Sequence, residues 1–491
     1  MTVWLITGCL VLIPILCWMK WSRDVYGKPL PGPKSWPFIG TWIFWPMRSF
    51  HLCCKTWAEQ YGPMFKLRVF TRKIVVLNSA SVVRELFSNT EYAGRFNVRE
   101  QTFVGKYLFN GNGVLARVSA DGIHSNLRSI LLDELQLNGE RAQEFEERVI
   151  EEIKSLTNKM NEVNGKDFEL ASVIRNSLLT TLWILLTGRS MSNDDPDVNQ
   201  LWKLNENILY LSSVARDALL MTFPSLRHLS TKTGRTYRES LLIMHLIQTR
   251  CLQKDQVRGL AETLLKTKNG NRSVTDEQAR QLLIDVFHGG ACTTVGTVLG
   301  LFLCLVHHTD CQNKVIKEIQ EKIGTQRVPS LKDRHKMPFT EATILETLRY
   351  TSIWPLGIPH KSDSHVKVRG FQIPKGALIF INSWFMQHNP NVFEDPWNFR
   401  PERFLDKRGN LVPADHPSIK NLMLFGRGKR RCPGKSLTQD IVFLYVTSVL
   451  QKFRILKPLE TDMPSCDPNF YTMNGGVLLP PKFAGRTEKL T

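Results

Sequence analysis

The segment from Phe425 to Gly434 limits what this chain can fold into more than any other part of it. It reads Phe-Gly-Arg-Gly-Lys-Arg-Arg-Cys-Pro-Gly, and an apolar helical pattern follows directly. The glycines on both sides of Cys432 allow a tight loop that approaches another group closely. The cations Lys429 to Arg431 and the N-terminal dipole of the next helix both favour an anion, so we expect a lowered pKa and a thiolate at Cys432.

A single thiolate is a soft metal ligand, but it cannot fill a tetrahedral zinc site alone. It can serve as the one axial ligand of a haem iron. The alternative is a basic surface loop that contains a cysteine without a chemical role. The ten cysteines in 491 residues form no C-x-x-C pair and are too sparse for a disulfide framework. The residues alone leave both interpretations of the loop open.

The N-terminal residues predict a membrane anchor. Positions 3–19 contain no charged residue, and Lys20 and Arg23 follow them. About 20 apolar residues span a bilayer, and a basic flank lies on the cytosolic side. We therefore expect residues 1–22 to form a transmembrane signal anchor. A cleaved signal peptide is the alternative, but its basic residues would precede the apolar run and a small-x-small cleavage site would follow it.

A proline-rich stretch follows the predicted anchor. Residues 30–37 read Leu-Pro-Gly-Pro-Lys-Ser-Trp-Pro, which excludes a regular helix or a central strand. Such a stretch is a stiff connector. We interpret residues 23–48 as a basic, proline-rich hinge, although an ordinary surface loop fits this segment nearly as well.

The remaining residues, 49–491, contain no internal repeat, low-complexity tract or long polar linker, which predicts one large domain. Apolar spacing predicts helices through most of residues 136–350. Two β-rich runs lie at 64–70 and 73–77, and the alternation at 364–381 predicts a hairpin. We therefore expect a mainly α fold with small β-sheets, an α+β arrangement.

The charge balance predicts an acidic partner. Lys and Arg number 64 and Asp and Glu number 45, a net charge of +19. A membrane surface, an acidic protein or nucleic acid would suit such a chain. The cations alternate with acids and aromatic residues, so no basic stripe favours nucleic acid, and we expect none to bind.

The loop matches the haem-thiolate signature F-x-x-G-x-R-x-C-x-G at Phe425, Gly428, Arg430, Cys432 and Gly434, and so it resembles the cytochrome P-450 family. Three more segments resemble that family in the expected order. They are the E-x-x-R motif Glu346–Arg349, the P-E-R-F segment Pro401–Phe404 and the oxygen-binding helix near residue 290. With the anchor and hinge, the resemblance covers essentially the whole chain and indicates the microsomal class, including the animal steroid- and drug-oxidising enzymes.

The resemblance implies the cytochrome P-450 fold and a haem b cofactor (iron protoporphyrin IX) whose iron is ligated by Cys432. It assigns cofactor binding to Cys432, Arg430, Arg128, His124, His360, Phe425 and Gly434. Arg430, Arg128 and His360 are expected beside the haem propionates. His124 stands where the family usually has tryptophan, and an imidazole N–H can donate to a propionate as an indole N–H does.

The E-x-x-R motif predicts a charge cluster. Glu346 and Arg349 lie three residues apart on one helix face and can form an ion pair. Two charges buried there would need a further partner, and the resemblance assigns Arg403 to that position. An isolated surface pair is the alternative from the residues alone.

The predicted oxygen-binding helix departs from the family pattern [AG]-G-x-[DE]-T-T. Gly289, Gly290, Thr293 and Thr294 fit that pattern, whereas Cys292 stands at the position of the acid. Two adjacent glycines cost a helix about 1 kcal/mol each, which is accepted where another group approaches the backbone. We expect Thr293 and Thr294 to handle oxygen and its protons. Because a thiol is a weak proton donor, Cys292 predicts slower oxygen activation or more released peroxide.

The resemblance implies a monooxygenase that inserts one atom of O₂ into a lipophilic steroid, fatty acid or xenobiotic. Electrons would come from NADPH through NADPH–cytochrome P-450 reductase, with cytochrome b5 as a further partner. The catalytic domain would lie on the cytosolic side of the endoplasmic reticulum membrane. Two alternatives stay open: a haem-thiolate isomerase or dehydratase of lipid peroxides, and a haem-binding protein without turnover.

The substrate is not evident from the sequence. Leu356, Ile358 and Phe470 are candidate apolar pocket residues, although each fits an ordinary core position equally well. Cations between residues 416 and 435, among them Lys429 and Lys435, are predicted to dock an acidic reductase.

Overall fold

The computed structural model describes residues 28–490, apart from several short gaps. These gaps are residues 37–38, 42–49, 71, 90–91, 97, 100–101, 119–120, 136–139, 193–194, 253–257 and 268–273. The predicted anchor, residues 1–22, and part of the predicted hinge, residues 23–48, lie outside the described residues.

The described part of the chain is mostly helical, which confirms the predicted fold class. Its α-helices are α1 (Phe50–Tyr61), α2 (Ala80–Ser88), α3 (Phe103–Tyr107), α4 (Gly122–Leu135), α5 (Glu140–Glu162), α6 (Leu170–Thr187), α7 (Pro196–Leu211), α8 (Val214–Thr222), α9 (Lys232–Cys251), α10 (Gly259–Thr267), α11 (Asp276–His307), α12 (Thr309–Lys322), α13 (Pro338–Thr351), α14 (Ser383–Gln387), α15 (Pro417–Lys420) and α16 (Lys435–Lys452). Short 3₁₀ helices lie at Ala93–Phe96, Pro224–His228, Leu331–Lys336, Pro401–Phe404, Gly428–Arg430 and Pro468–Phe470.

The strands form small sheets beside the helices. They are β1 (Lys28–Pro29), β2 (Met64–Val69), β3 (Arg72–Leu77), β4 (Val98–Arg99), β5 (His360–Lys361), β6 (Val366–Val368), β7 (Phe371–Ile373), β8 (Leu378–Ile381), β9 (Phe453–Leu456), β10 (Thr472–Asn474), β11 (Val477–Leu479) and β12 (Arg486–Lys489). The largest described sheet has the order β2-β3-β8-β5-β4, and β1-β7-β6 forms another. The pairs β10–β11 and β9–β12 are antiparallel.

The hairpin predicted at 364–381 is only partly present. Strands β6 and β7 form an antiparallel pair with Val366 opposite Ile373. Strand β8 leaves the hairpin and pairs in parallel with β3 in the larger sheet. Its four residues, Leu-Ile-Phe-Ile, are all buried, as expected for a strand covered on both faces.

Helix α11 is the central element of the helical region. It begins with a capping box in which Thr275 and Gln278 each bond the other's backbone N–H. Most of its residues are buried on all sides, which is the pattern of a helix in the middle of a core. It contacts α6, α13 and α16, and these four helices share the largest apolar cluster. Helices α6 and α11 are long and apolar enough to cross a membrane, but most of each is buried inside the protein.

Candidate active site

A cavity of about 400 Å³ lies beside α11 and the loop that precedes α16. Cys432 lines it from that loop, and Gly289, Thr293 and Thr294 line it from α11. Most of the lining is apolar, as is usual for a site that takes a small organic molecule. The structure therefore brings the cysteine loop and the predicted oxygen-binding helix to one space.

The Cys432 loop is closed by its own backbone. The N–H of Cys432 donates to the carbonyl of Phe425 at 2.8 Å. Gly426 and Gly428 adopt φ values of +68° and +73°, which glycine reaches without a steric penalty. The Gly434 N–H donates to the sulfur of Cys432, and the thiol lies inside the protein with its accessible surface facing the cavity. The glycines thus form the close-approach loop that the sequence predicts.

The predicted lowering of the Cys432 pKa is wrong. Burial raises the pKa of this thiol, and the Gly434 N–H and the charges of Arg128 and Lys435 offset that effect only in part. The neighbouring cations Lys429 and Arg431 have exposed side chains, so water screens their charge. An iron bound at the sulfur would favour the thiolate form, because a coordinating thiol loses its proton.

Four arginines line the same cavity; Arg72 pairs with Asp217, and the other three interact with one another. Arg430 donates to the carbonyls of Arg117 and Val118 at 2.8 and 3.0 Å. Arg128 donates to the carbonyl of Arg431 at 2.7 Å. Arg99 is the third guanidinium, and sequence reasoning missed it.

The three guanidinium groups repel one another. Burial, followed by the charges of Arg430 and Arg128, lowers the pKa of Arg99 to about 9. Burial and the charge of Arg128 lower the pKa of Arg430 to about 10. A group with two negative charges would relieve this repulsion.

Two histidines complete this side of the cavity. Nε2 of His124 is buried and has no hydrogen-bond partner among the described residues. Burial, then Arg430 and Arg128, lowers the pKa of His124 to about 4. His360 donates from Nδ1 to the carbonyl of Phe96 at 2.8 Å, so its neutral ring keeps a lone pair at Nε2. His124 can donate to a carboxylate as a neutral ring, whereas His360 would have to take up a proton first.

These observations fit a bound haem. An accessible thiol, a cluster of cations and a buried histidine nitrogen without a partner lie around one apolar space. Haem would use the thiol as an axial ligand, and its propionates would meet the cations. The cavity therefore offers a sulfur ligand for the iron and hydrogen-bond donors for the two propionates.

The two glycines of α11 have different surroundings. A methyl group added at Gly289 would meet no atom within 4 Å, so the helix backbone is open there. The same methyl at Gly290 would lie 3.0 Å from a Leu182 methyl of α6. Both glycines line the cavity, as the sequence predicts, and Gly290 also lets α6 and α11 pack closely.

Thr293 and Cys292 face different surroundings. The Thr293 hydroxyl donates to the Gly289 carbonyl at 2.7 Å, and the residue lines the cavity. Cys292 is fully buried, and its sulfur lies 3.8 Å from the carbonyl of His288. Burial raises the pKa of the Cys292 thiol to about 12. Cys292 is absent from the cavity lining, so its thiol has no route to a bound ligand in this structure.

A family model described as Cytochrome P-450 matches residues 30–484. The chain belongs to the cytochrome P-450 family. Farnesoate epoxidase of Bombyx mori is 28% identical over 89% of this chain and 90% of that protein. Steroid 17-alpha-hydroxylase/17,20 lyase of Mesocricetus auratus is 27% identical over 93% and 92%. Cytochrome P-450 1A1 of Oryctolagus cuniculus is 26% identical over 87% and 85%. The predicted family and the predicted class, a haem-dependent oxidoreductase, are confirmed.

In this cytochrome P-450 the E-x-x-R motif forms a buried charge cluster. Arg349 binds both oxygens of Glu346 at 2.8 Å, and the Arg403 Nε lies 3.0 Å from the same carboxylate. Arg349 also donates to the carbonyl of Gln387 at 2.8 Å, and Arg403 donates to three backbone carbonyls. Every charge in this cluster therefore has hydrogen-bonded partners.

Of the three candidate pocket residues, Leu356 and Ile358 line the cavity. Phe470 is 71% exposed and is absent from the lining, and Met473 lines the cavity instead. Charged and histidine lining residues that sequence reasoning missed are Arg72, Arg99, Asp217, Asp285 and His288. Of these, only His288 could have been identified from the sequence, because it directly precedes the Gly289-Gly290 pair that marks the cavity side of the helix.

Proposed function

We propose that this cytochrome P-450 is a monooxygenase that inserts one oxygen atom of O₂ into a lipophilic small molecule, of the steroid, fatty acid or xenobiotic class. The observation that carries the proposal is the thiol of Cys432, which opens into an apolar cavity that Thr293 of α11 also lines. Two of the relatives are named for acting on farnesoate and on steroids, which are lipophilic.

The residues at the thiol side hold the cofactor. Haem b, when bound, supplies the binding and reduction of O₂. Cys432 would provide the sulfur that holds the iron, and the Gly434 N–H would stabilise negative charge on it. Arg99, Arg128 and Arg430 would pair with the propionates, and the N–H of His124 could donate to one of them.

The hydroxyl of Thr293 handles protons in the cavity. It donates to the Gly289 carbonyl, so its lone pairs stay available for a water or for the hydroxyl proton of another group. Thr294 lines the cavity beside it. The thiol of Cys292 keeps its proton near neutral pH and is buried outside the cavity. Protons would therefore travel through Thr293 and solvent, with no carboxylate at the position of Cys292 to relay them.

Electrons reach the site through a docked reductase. Exposed cations, Lys429, Arg431 and Lys435, surround the Cys432 loop. A protein with an acidic face would be steered to this surface. NADPH–cytochrome P-450 reductase is the proposed partner, and cytochrome b5 would use the same face. With residues 1–22 as an anchor, the enzyme belongs to the endoplasmic reticulum membrane, with its catalytic domain in the cytosol.

The test uses the full chain, loaded with haem and reconstituted with the reductase in lipid vesicles. A panel of steroids, fatty acids and drug-like compounds is incubated with NADPH, and oxygenated products are identified by mass, with ¹⁸O₂ as the oxygen source. We expect products that contain one ¹⁸O atom and that require both NADPH and O₂. Conversion of a lipid hydroperoxide without either reagent would instead establish the isomerase or dehydratase alternative.

A further inference from the structure

His288 is a polar side chain in a mostly apolar part of the cavity. It lies on α11 directly before Gly289, it is only 9% exposed, and the residue lines the cavity. We propose that His288, oriented by Asn205, is a hydrogen-bond acceptor that selects substrates with a hydroxyl group remote from the oxidised carbon. This proposal rests on the proposed function, because it places the substrate of that reaction in this cavity.

The orientation of Asn205 follows from its own helix. The Asn205 side chain is 1% exposed on α7, and its Nδ2 lies 3.2 Å from the carbonyl of Leu201. A carbonyl can only accept, so the amide nitrogen must be the atom that faces it. The amide oxygen of Asn205 is then the atom that lies 2.8 Å from Nδ1 of His288.

This contact places the ring proton of His288. An amide oxygen can only accept, so Nδ1 must carry the hydrogen. Burial lowers the pKa of His288 to about 4, so the ring is neutral at physiological pH. A neutral imidazole with its proton on Nδ1 has a lone pair on Nε2. That nitrogen has no hydrogen-bond partner within the described parts of the chain.

The ring of His288 is also held from the side. The ring of Phe109, which lines the cavity too, approaches it edge to face with the centroids 6.3 Å apart. A ring held by one hydrogen bond and one aromatic contact loses little freedom when a ligand binds. The acceptor at Nε2 is therefore oriented before the substrate arrives.

Two carboxylates line the cavity but already have partners. Asp285 accepts from the backbone N–H groups of Val114 and Leu115 and from Gln281. Asp217 accepts from the N–H of Phe103 and lies 3.5 Å from a guanidinium nitrogen of Arg72. Each of these carboxylates is already hydrogen-bonded within the protein, whereas Nε2 of His288 has no such bond among the residues that the structure describes.

The chemistry of the acceptor defines the substrate class. A hydroxyl group can donate to Nε2, but a ketone, an ether or a carboxylate offers only lone pairs and leaves both partners without a bond. His288 precedes Thr293 by five residues, about 7.5 Å along the helix. The preferred substrate is thus an amphipathic alcohol, such as a sterol or a long-chain alcohol, with its hydroxyl several bonds from the oxidised carbon.

The test measures binding to the haem-loaded full chain. The probes are 1-alkylimidazoles of increasing chain length that end in a hydroxyl group, each with its matched methyl ether. The imidazole binds the haem iron and shifts the Soret band, which reports the dissociation constant without turnover. We expect one chain length at which the alcohol binds about three- to tenfold more tightly than the ether. Equal affinities of alcohol and ether at every length would overturn the proposal.

Variants locate the preference. His288→Phe keeps an aromatic ring without the acceptor, and Asn205→Leu removes the group that fixes the tautomer. Both should abolish the preference for the alcohol, while Val286→Leu, a change at an apolar lining position of α11, should change both affinities by the same factor. A preference that survives in both polar variants would contradict the assignment. The ferrous–CO spectrum checks that each variant is folded and loaded.

The outcome separates this proposal from the proposed function. Alcohol preference in a protein that oxygenates no compound with NADPH would reject the monooxygenase function and keep the acceptor. Oxygenation with equal binding of alcohol and ether would support the monooxygenase function and reject the hydrogen-bond acceptor. A lower yield of product per NADPH in His288→Phe, without any change in alcohol preference, would give the histidine a role in proton delivery and overturn the proposed selection.

Discussion

Two groups of buried arginines in this protein differ in what surrounds them. Arg349 and Arg403 share the carboxylate of Glu346 and several backbone carbonyls. Arg99, Arg128 and Arg430 line the cavity, where burial lowers the pKa of each and the charge of Arg128 lowers the pKa of Arg99 and Arg430 further. A cluster whose charges are compensated within the protein stabilises the fold, whereas a cluster that shares a cavity and repels itself is suited to an anionic ligand.

The largest predicted effect comes from a substitution in the cluster of Glu346, Arg349 and Arg403, whose charges compensate one another. Glu346→Gln removes the carboxylate that Arg349 and Arg403 share, and it leaves two buried cations without a counter-charge. We expect the unfolding free energy to fall by about 3–5 kcal/mol, measured by chemical denaturation. Glu402→Gln, which breaks the exposed contact to Lys314, is the control and should cost less than about 1 kcal/mol. Equal effects of the two variants would show that the buried cluster is not structural.

Removing a cation from the cavity should weaken haem binding and leave the stability of the fold nearly unchanged. Arg128→Gln relieves repulsion within the cluster, so the stability of the haem-free protein should change little. Haem affinity should fall about ten- to a hundredfold, because a charge-assisted hydrogen bond is lost. The rate of haem transfer to apomyoglobin measures this effect. Arg454→Gln, at the exposed pair with Glu488, should leave haem transfer unchanged.

The pH dependence of the unfolding free energy should reveal the cavity cations through their effect on His124. Burial and the nearby cations lower the pKa of His124 from 6.5 to about 4 in the folded protein. Between these values the unfolded chain binds more protons, so stability falls as pH drops from about 6.5 to about 4. We expect His124 to contribute roughly 2 kcal/mol to this loss in the haem-free protein. His124→Gln should flatten this slope, and a variant of the exposed His335 should not.

A smaller effect, on the yield of product per NADPH, should distinguish Thr293 from Cys292, its neighbour on α11. Thr293→Ala removes the hydroxyl in the cavity, and we expect the product formed per NADPH to fall several-fold, with more hydrogen peroxide released. Cys292→Ala should leave this ratio unchanged, because the thiol is buried outside the cavity. A matching loss in both variants would contradict the different surroundings of the two side chains.

Contiguous motifs were the most predictable part of the molecule. The Cys432 loop and the helix pair Glu346–Arg349 depend on neighbours only a few residues away, and their local geometry follows from glycine conformation and helical spacing. The short strands were harder to assign. Strand β8 pairs with β3, about 300 residues earlier in the chain, so no local pattern could separate it from the hairpin beside it.

The sequence by itself determined the family, the motif around Cys432 and the helical character of the chain, because these follow from short-range residue patterns. Only the tertiary structure decided the state of the side chains. It raised the pKa of Cys432, withdrew Cys292 from the cavity and brought Arg99 into it. It also joined His288 to Asn205 across 83 positions. Burial and long-range contacts determine which groups of a site are protonated and which hydrogen-bonding atoms stay free. Local sequence does not specify these contacts.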